Sequence, residues 1–306
     1  MASKSFSTAQ IVTAITLVTG MVFFADTISA FGVVFWVLYL GALAMTVGQP
    51  HAGLPLGVAL VQIALIGVSY IVKLDDGFSA LPLVNRLGGV ISLLAVAYMA
   101  RRVIMERTEA ARLLWRQAGQ AATADSLIGE HSLRDTANAV LGTLAPYVGA
   151  QVAVLHHYDR KTLVPVGAYG CDLPEKGAAG GLAQEAVQRG GIVVIDDVPD
   201  GYLRVASLLG AAAPRRIVIL PLTSNRRIAG VIELGFVALP ADPHAVRELL
   251  QQSAESMGLA LQQAAYREHL KELLAQTQRQ GEEMQVQQEE LRVSNEELEE
   301  QGRALR

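Results

Sequence analysis

Apolar residues are spread unevenly along the chain. Between residues 9 and 103 the charged side chains are confined to Asp26, Lys73, Asp75, Asp76, Arg86, Arg101 and Arg102, and four apolar stretches stand out at about 9–30, 31–48, 54–72 and 81–100. A helix of about 20 apolar residues crosses a hydrocarbon core of about 30 Å. The pattern therefore predicts an α-helical four-span transmembrane bundle over 9–103, preceded by a cytoplasmic tail at 1–8. The first residues lack the basic start, short apolar core and cleavage site of a leader peptide, so the first stretch is expected to be retained. Lys4 before the first stretch and Arg101, Arg102 and Arg107 after the last put both ends on the cytoplasmic side. Connections such as 48–53, "GQPHAG", leave little room for an external domain.

Two charges interrupt this apolar pattern. Asp26 comes late in the first stretch and Arg86 early in the fourth, so an even number of crossings brings both to the outer face. An ion pair there would lower the cost of holding each charge in lipid. The alternative is that each side chain snorkels separately to the interface.

Beyond residue 101 the chain becomes charged. Residues 104–131 are rich in Ala, Glu, Arg and Leu without Pro, which predicts a linker helix continuing the fourth span, with Trp115 as a packing anchor. From 132 to 264 the periodicity alternates between 3.6 and 2, predicting one α+β domain with an antiparallel sheet and flanking helices. A helix at 132–149 is capped by Ser132, and a hairpin at 151–170 turns at "DRK". A helix at 181–191 is closed by Gly190 and Gly191, followed by a strand at 192–196 and a short helix at 201–210. Two long strands joined at "SNR" then lead into a helix at 243–266.

The C-terminal stretch, 265–306, keeps one heptad row: Leu270, Thr277, Met284, Leu291, Leu298 and Leu305. The companion row, Leu274, Gly281, Gln288, Asn295 and Gly302, is weak. One strong and one weak seam predict a marginal parallel coiled coil whose register Asn295 fixes, unless Asn295 simply lies on a solvated face. No helix-stop signal follows, so the chain is expected to end in an unfinished helix.

Composition narrows the function. At 306 residues, 51% apolar and mean hydropathy +0.33, the chain is too apolar for an ordinary soluble enzyme. A net charge of −4, a pI near 5.9 and the lack of a concentrated basic run in the sequence argue against a nucleic-acid partner. A single cysteine, Cys171, excludes an internal disulfide framework and a Cys-rich metal site. His156 and His157 are adjacent in a strand, so at most one faces the domain interior; one is expected packed and the other exposed. No phosphate loop, Ser-His-Asp set or paired metal-ligand motif occurs, so no catalytic residue, metal or cofactor is expected.

Three stretches resemble known families. "FFADTISAFGVVFWVLYLGALAM" and "ALPLVNRLGGVISLLAVAYMARR" resemble the four-span module ahead of cytoplasmic sensor domains in bacterial hybrid histidine kinases. "LAPYVGAQVAVLHHYDRKTLVPVGAYG", "GGLAQEAVQRGGIVVIDDVP", "PRRIVILPLTSNRRIAGVIELG" and "VRELLQQSAESMGLALQQA" resemble a GAF domain. "LLAQTQRQGEEMQVQQEELRVSNEELEEQGRALR" resembles the signalling helix that joins such a domain to the dimerisation and phosphoacceptor helices of those kinases.

The resemblances imply a ligand cup, whose candidate lining residues are Tyr169, Cys171, Asp196, Asp197, Tyr202 and Arg215. Cyclic-nucleotide-binding members carry an Asn-Lys…Phe…Asp-Glu signature; here Asn225 and Arg226 stand without the matching Phe and Asp-Glu pair. Bilin-binding members use a Cys thioether, for which Cys171 is the one candidate, but the accompanying Cys-His pair is absent. A sulfoxide reductase of this type would need several thiols.

The resemblances together imply the sensory part of a hybrid sensor histidine kinase, without the phosphoacceptor, ATP-binding and receiver regions. They imply a multi-pass protein of the bacterial inner membrane, homodimeric through its linker and coiled-coil helices, with the N-terminus, GAF domain and coiled coil in the cytoplasm. Its partners would be the lipid bilayer, downstream kinase and response-regulator domains, and a small GAF ligand of unknown identity. The alternatives are an input module for a cyclic-di-nucleotide synthase or phosphodiesterase, or a ligand-free GAF dimerisation scaffold.

Overall fold

The computed structural model describes residues 8–28, 35–72, 80–129, 131–159, 162–174, 181–196, 198, 205–207 and 210–304. The chain divides into two compact units, 1–114 and 115–306.

The first unit contains α1 (Thr8–Ile28), α2 (Trp36–Ala44), α3 (Leu54–Val72) and the beginning of α4 (Ala80–Ser126). Among the described residues α1, α3 and α4 are long and apolar enough to span a membrane. α2 is not: its 9 residues rise only about 14 Å. Four spans were expected here, so the described residues give three candidate spans and one shorter apolar helix. α2 tightens into a 3₁₀ turn at Met45–Gly48, and Pro50, which cannot continue a helix, follows two residues later.

This unit inverts the solubility pattern of a water-soluble protein. Leu17, Met21, Phe24, Leu60, Ile71, Ile91 and Met99 are exposed, while Thr19, Gln62 and Ser69 are buried. Polar groups turned inward and apolar groups turned outward suit a hydrocarbon solvent. Gln62 Nε2 donates to the Tyr39 carbonyl at 3.2 Å and to Thr19 Oγ1 at 3.4 Å, tying α3 to α2 and α1. Trp36 Nε1 donates to Asn85 Oδ1 at 2.9 Å, and Gly89 lets α4 close on the Trp36 ring, since a Cβ there would lie 2.7 Å from Cγ.

The second unit begins within α4 and continues with α5 (Leu133–Val148), β1 (Val152–Asp159), β2 (Thr162–Tyr169), α6 (Gly181–Arg189) and β3 (Val193–Ile195). After these come β4 (Val205–Ser207), β5 (Gly210–Ala212), β6 (Arg216–Ser224), β7 (Arg227–Phe236) and α7 (Pro243–Ala304). α5 starts where Ser132 Oγ accepts from the Asp135 N–H at 3.1 Å. It ends at Gly149, whose φ of +78° suits a left-handed cap.

An antiparallel sheet of order β2-β1-β7-β6-β3 forms the centre of the unit. Pro165 lies in the edge strand β2, and Pro221 lies beyond the short pairing of β3 with residues 217–219, so neither missing N–H interrupts an inner ladder. β6 and β7 are joined by a tight turn with Asn225 at φ +50° and Arg226 at φ +63°. Two successive positive φ values match the type I′ geometry that twisted hairpins favour. Where a short helix was expected at 201–210, the described residues of β4 pair with β5 as strands. Short apolar runs around a β-branched residue such as Val205 carry no helix or strand period of their own.

Candidate functional site

Strand alternation gives the sheet two different faces. Leu155, Val218, Leu220, Leu222, Ile232, Leu234 and Phe236 join α5 and α7 in the larger core. Leu163, Ile217, Ile219 and Val231 join α6 in a smaller one. His156 pairs across the ladder with Val231, and Glu233 with Ile219, so both ionisable side chains lie on the α6 face.

There they meet. His156 Nε2 is 3.1 Å from Glu233 Oε1, and the residues are only 2% and 5% exposed. His156 Nδ1 is buried and makes no hydrogen bond among the described residues. Desolvating an imidazole and a carboxylate costs several kcal/mol before their attraction offsets it, so this pair is held by the fold around it. Among the described residues no group of three or more His, Cys, Asp or Glu side chains could hold a metal ion.

His157 points to the other face, where its Nδ1–H donates to the Ala229 carbonyl at 3.0 Å. It is half-buried rather than exposed. Burial pushes its pKa below the usual histidine value, opposed by that hydrogen bond and by Asp159 and Glu268. It borders a cleft of about 510 Å³ together with Asp159, Tyr266, Glu268, His269 and Glu272.

The four described candidate cup residues, Tyr169, Cys171, Asp196 and Arg215, do not gather in one place. Tyr169 pairs with Ala153 and packs against the larger core, on the face opposite α6. Cys171 is half-buried, and its thiol donates to the Ala153 carbonyl at 3.9 Å. Burial, then Asp172, pushes that thiol's pKa up, against backbone hydrogen bonds that lower it. At the other edge of the sheet, Asp196 accepts from the Nε–H of Arg216. Arg215 is exposed, and its backbone N–H donates to the Phe236 carbonyl at 2.8 Å. Asp197 and Tyr202 lie outside the described residues. Glu233 was missed, although it was marked in the sequence: it is the one acidic residue inside the apolar strand "RIAGVIELGF".

In the first unit, Arg86 Nη2 lies 4.0 Å from Asp26 Oδ1 and 3.4 Å from Ser69 Oγ, with the guanidinium 5.2 Å from the Tyr70 ring centroid. Along α7, Leu270, Met284 and Leu291 are exposed at 58%, 62% and 65%, and Asn295 is also exposed. Leu298 lies in α7 with its side chain outside the description, and Leu305 falls outside the described residues.

The sheet order and flanking helices fit one family, and residues 130–262 match its model. This stretch is a GAF domain. None of the curated proteins compared with the chain matches it. Among solved structures, the chain is similar to the GAF domain of an Acinetobacter phosphoenolpyruvate-protein phosphotransferase, at 15% identity and TM-score 0.41, over 49% of this chain and 94% of that one. The GAF domain of the Coxiella burnetii phosphoenolpyruvate-protein phosphotransferase aligns at 12% identity and TM-score 0.43, over 51% and 98%. That of a Pseudomonas syringae pv. tomato protein described as a sensor histidine kinase aligns at 17% identity and TM-score 0.35, over 56% and 96%.

Proposed function

We infer that the chain is the sensory input and transmission part of a membrane-bound two-component histidine kinase, acting as a homodimer in the bacterial inner membrane. One observation carries this reading. The GAF domain lies between two long helices, with α4 arriving from the apolar segment and the 62-residue α7 leaving. A domain whose ends are both helices can pass a displacement in or out, because a helix moves as a stiff rod.

The exposed Leu270, Met284 and Leu291 support a dimer. They repeat at multiples of seven on an otherwise solvated helix, the pattern a second copy of the same helix would cover. The weak companion row keeps the pairing marginal, so a coupling of about 1–3 kcal/mol could shift it. In this reading a GAF ligand or an event in the bilayer changes the packing of the paired GAF domains, and α7 carries the change to kinase and response-regulator domains. The chain itself performs no catalysis.

The test is crosslinking in native membranes. Leu291→Cys, in a chain with Cys171→Ser, should form a disulfide-linked dimer on mild oxidation. A chain that stays monomeric at every expression level would overturn the dimeric reading. With a downstream region attached, autophosphorylation on histidine checks the kinase assignment, and native mass spectrometry shows whether the GAF domain retains a small molecule.

A further inference from the structure

Two side-chain contacts tie the end of α4 to the beginning of α7. Arg116 Nη1 donates to Glu248 Oε2, and Gln120 Nε2 donates to Gln252 Oε1 at 2.9 Å. Both pairs are separated by 132 residues, so a step of four along α4 matches a step of four along α7 in the same direction. Antiparallel helices would pair rising numbers with falling ones. The two segments therefore run parallel, side by side, turn against turn.

Between the two rungs lies Gly119. A Cβ at this position would be 2.5 Å from Tyr147 Cε1 and 2.8 Å from Leu249 Cδ2, so glycine is what lets the α4 backbone settle against both α5 and α7. One turn earlier, Trp115 stacks on Tyr147 with ring centroids 5.1 Å apart, and the Tyr147 hydroxyl donates to the Trp115 carbonyl at 2.5 Å. Tyr147 and Leu249 also belong to the larger core beneath α5 and α7. A change in that core moves the seat on which Gly119 rests.

We propose that this joint couples α4 directly to α7, so that a shift or rotation of the incoming helix reaches the outgoing helix in phase without passing through the sheet. The domain core governs the coupling through Tyr147 and Leu249. The rungs suit a joint that can slip: one is a partly exposed ion pair and the other an exposed amide pair, neither of which locks helices together. The proposal rests on the transmitter reading above and specifies its path.

Hydrogen exchange of the full chain in lipid nanodiscs tests it. Arg116→Glu sets two carboxylates against each other at the first rung. Exchange should rise at least threefold along α7 at residues 263–290, beyond the last rung, while β1 and β7 stay unchanged. Combining Arg116→Glu with Glu248→Arg should restore the original rates, and Gly119→Leu should raise exchange over the same residues. An effect confined to residues 243–260, spread equally into β1 and β7, or not reversed by the charge swap would overturn the joint. Crosslinking at Leu291 in the same variants separates the two ideas: chains that pair normally but fail the exchange test overturn the joint alone.

Discussion

Glu233 Oε1 and His156 Nε2 lie 3.1 Å apart on neighbouring inner strands of the sheet, both nearly excluded from solvent. Removing the Glu233 carboxylate takes from the buried His156 ring its partner at Nε2. Glu233→Ala should therefore destabilise the GAF domain by about 3 kcal/mol. Replacing both by leucine, with no charge left at either position, should cost less than the single change. Denaturant unfolding followed by exchange of β1 and β7 amides measures both; equal losses for the single and double variants would show that the pair carries no coupling.

The parts of this fold legible in the sequence were those with a strong local signal. Ser132 announced the α5 cap, the alternation of "TLVPVGAY" announced β2, and the turn residues between β6 and β7 announced their hairpin. The region around Val205 gave no period long enough to distinguish a strand from a helix, and the strands won because β4 and β5 can pair with each other. The second apolar stretch was long enough by composition, yet Gly48 and Pro50 stop its helix within the described residues. The site was harder to read than the fold. Strand parity separated His156 from His157, but it could not show that Glu233, 77 positions beyond His156, would be the partner of His156. The sequence likewise does not show that Arg216, next to the candidate Arg215, is the residue that reaches Asp196, since a shift of one residue along an extended chain changes which face a side chain occupies.

His157 should make the GAF domain less stable in mild acid. Its folded pKa is lowered by burial, so below its unfolded value of about 6.5 the unfolded chain binds the proton more readily. The stability associated with the neutral ring is complete above that value and is lost as pH falls through it toward the folded pKa. Asp159 and Glu268 face the ring and soften the effect without reversing its sign. Comparing urea midpoints at pH 7.5 and 5.5 should show a decline that His157→Gln reduces; an unchanged decline would assign it to other groups.

The β6–β7 turn contains a removable strain. Arg226 has a φ of +63°, a region where a Cβ is disfavoured, while Asn225 before it tolerates its own positive φ. Arg226→Gly creates the Asn-Gly pair that type I′ hairpins prefer. The change should stabilise the domain by about 0.5–1 kcal/mol after the extra flexibility of the unfolded glycine is included. A higher thermal midpoint with unchanged exchange elsewhere would confirm it; destabilisation would mean that the Arg226 side chain contributes more than its backbone costs.

Arg86 and Asp26 offer a test in the apolar unit. The guanidinium approaches the carboxylate to 4.0 Å while also reaching Ser69 and the Tyr70 ring, so α1, α3 and α4 meet around one cation. In lipid, either charge alone is costly, and Asp26→Ala or Arg86→Ala should lower the thermal stability of the chain in nanodiscs. The charge swap, Asp26→Arg with Arg86→Asp, should recover much of that loss. If each residue instead reached the interface separately, the swapped chain would show the sum of the two single effects, and the pair would count only as proximity.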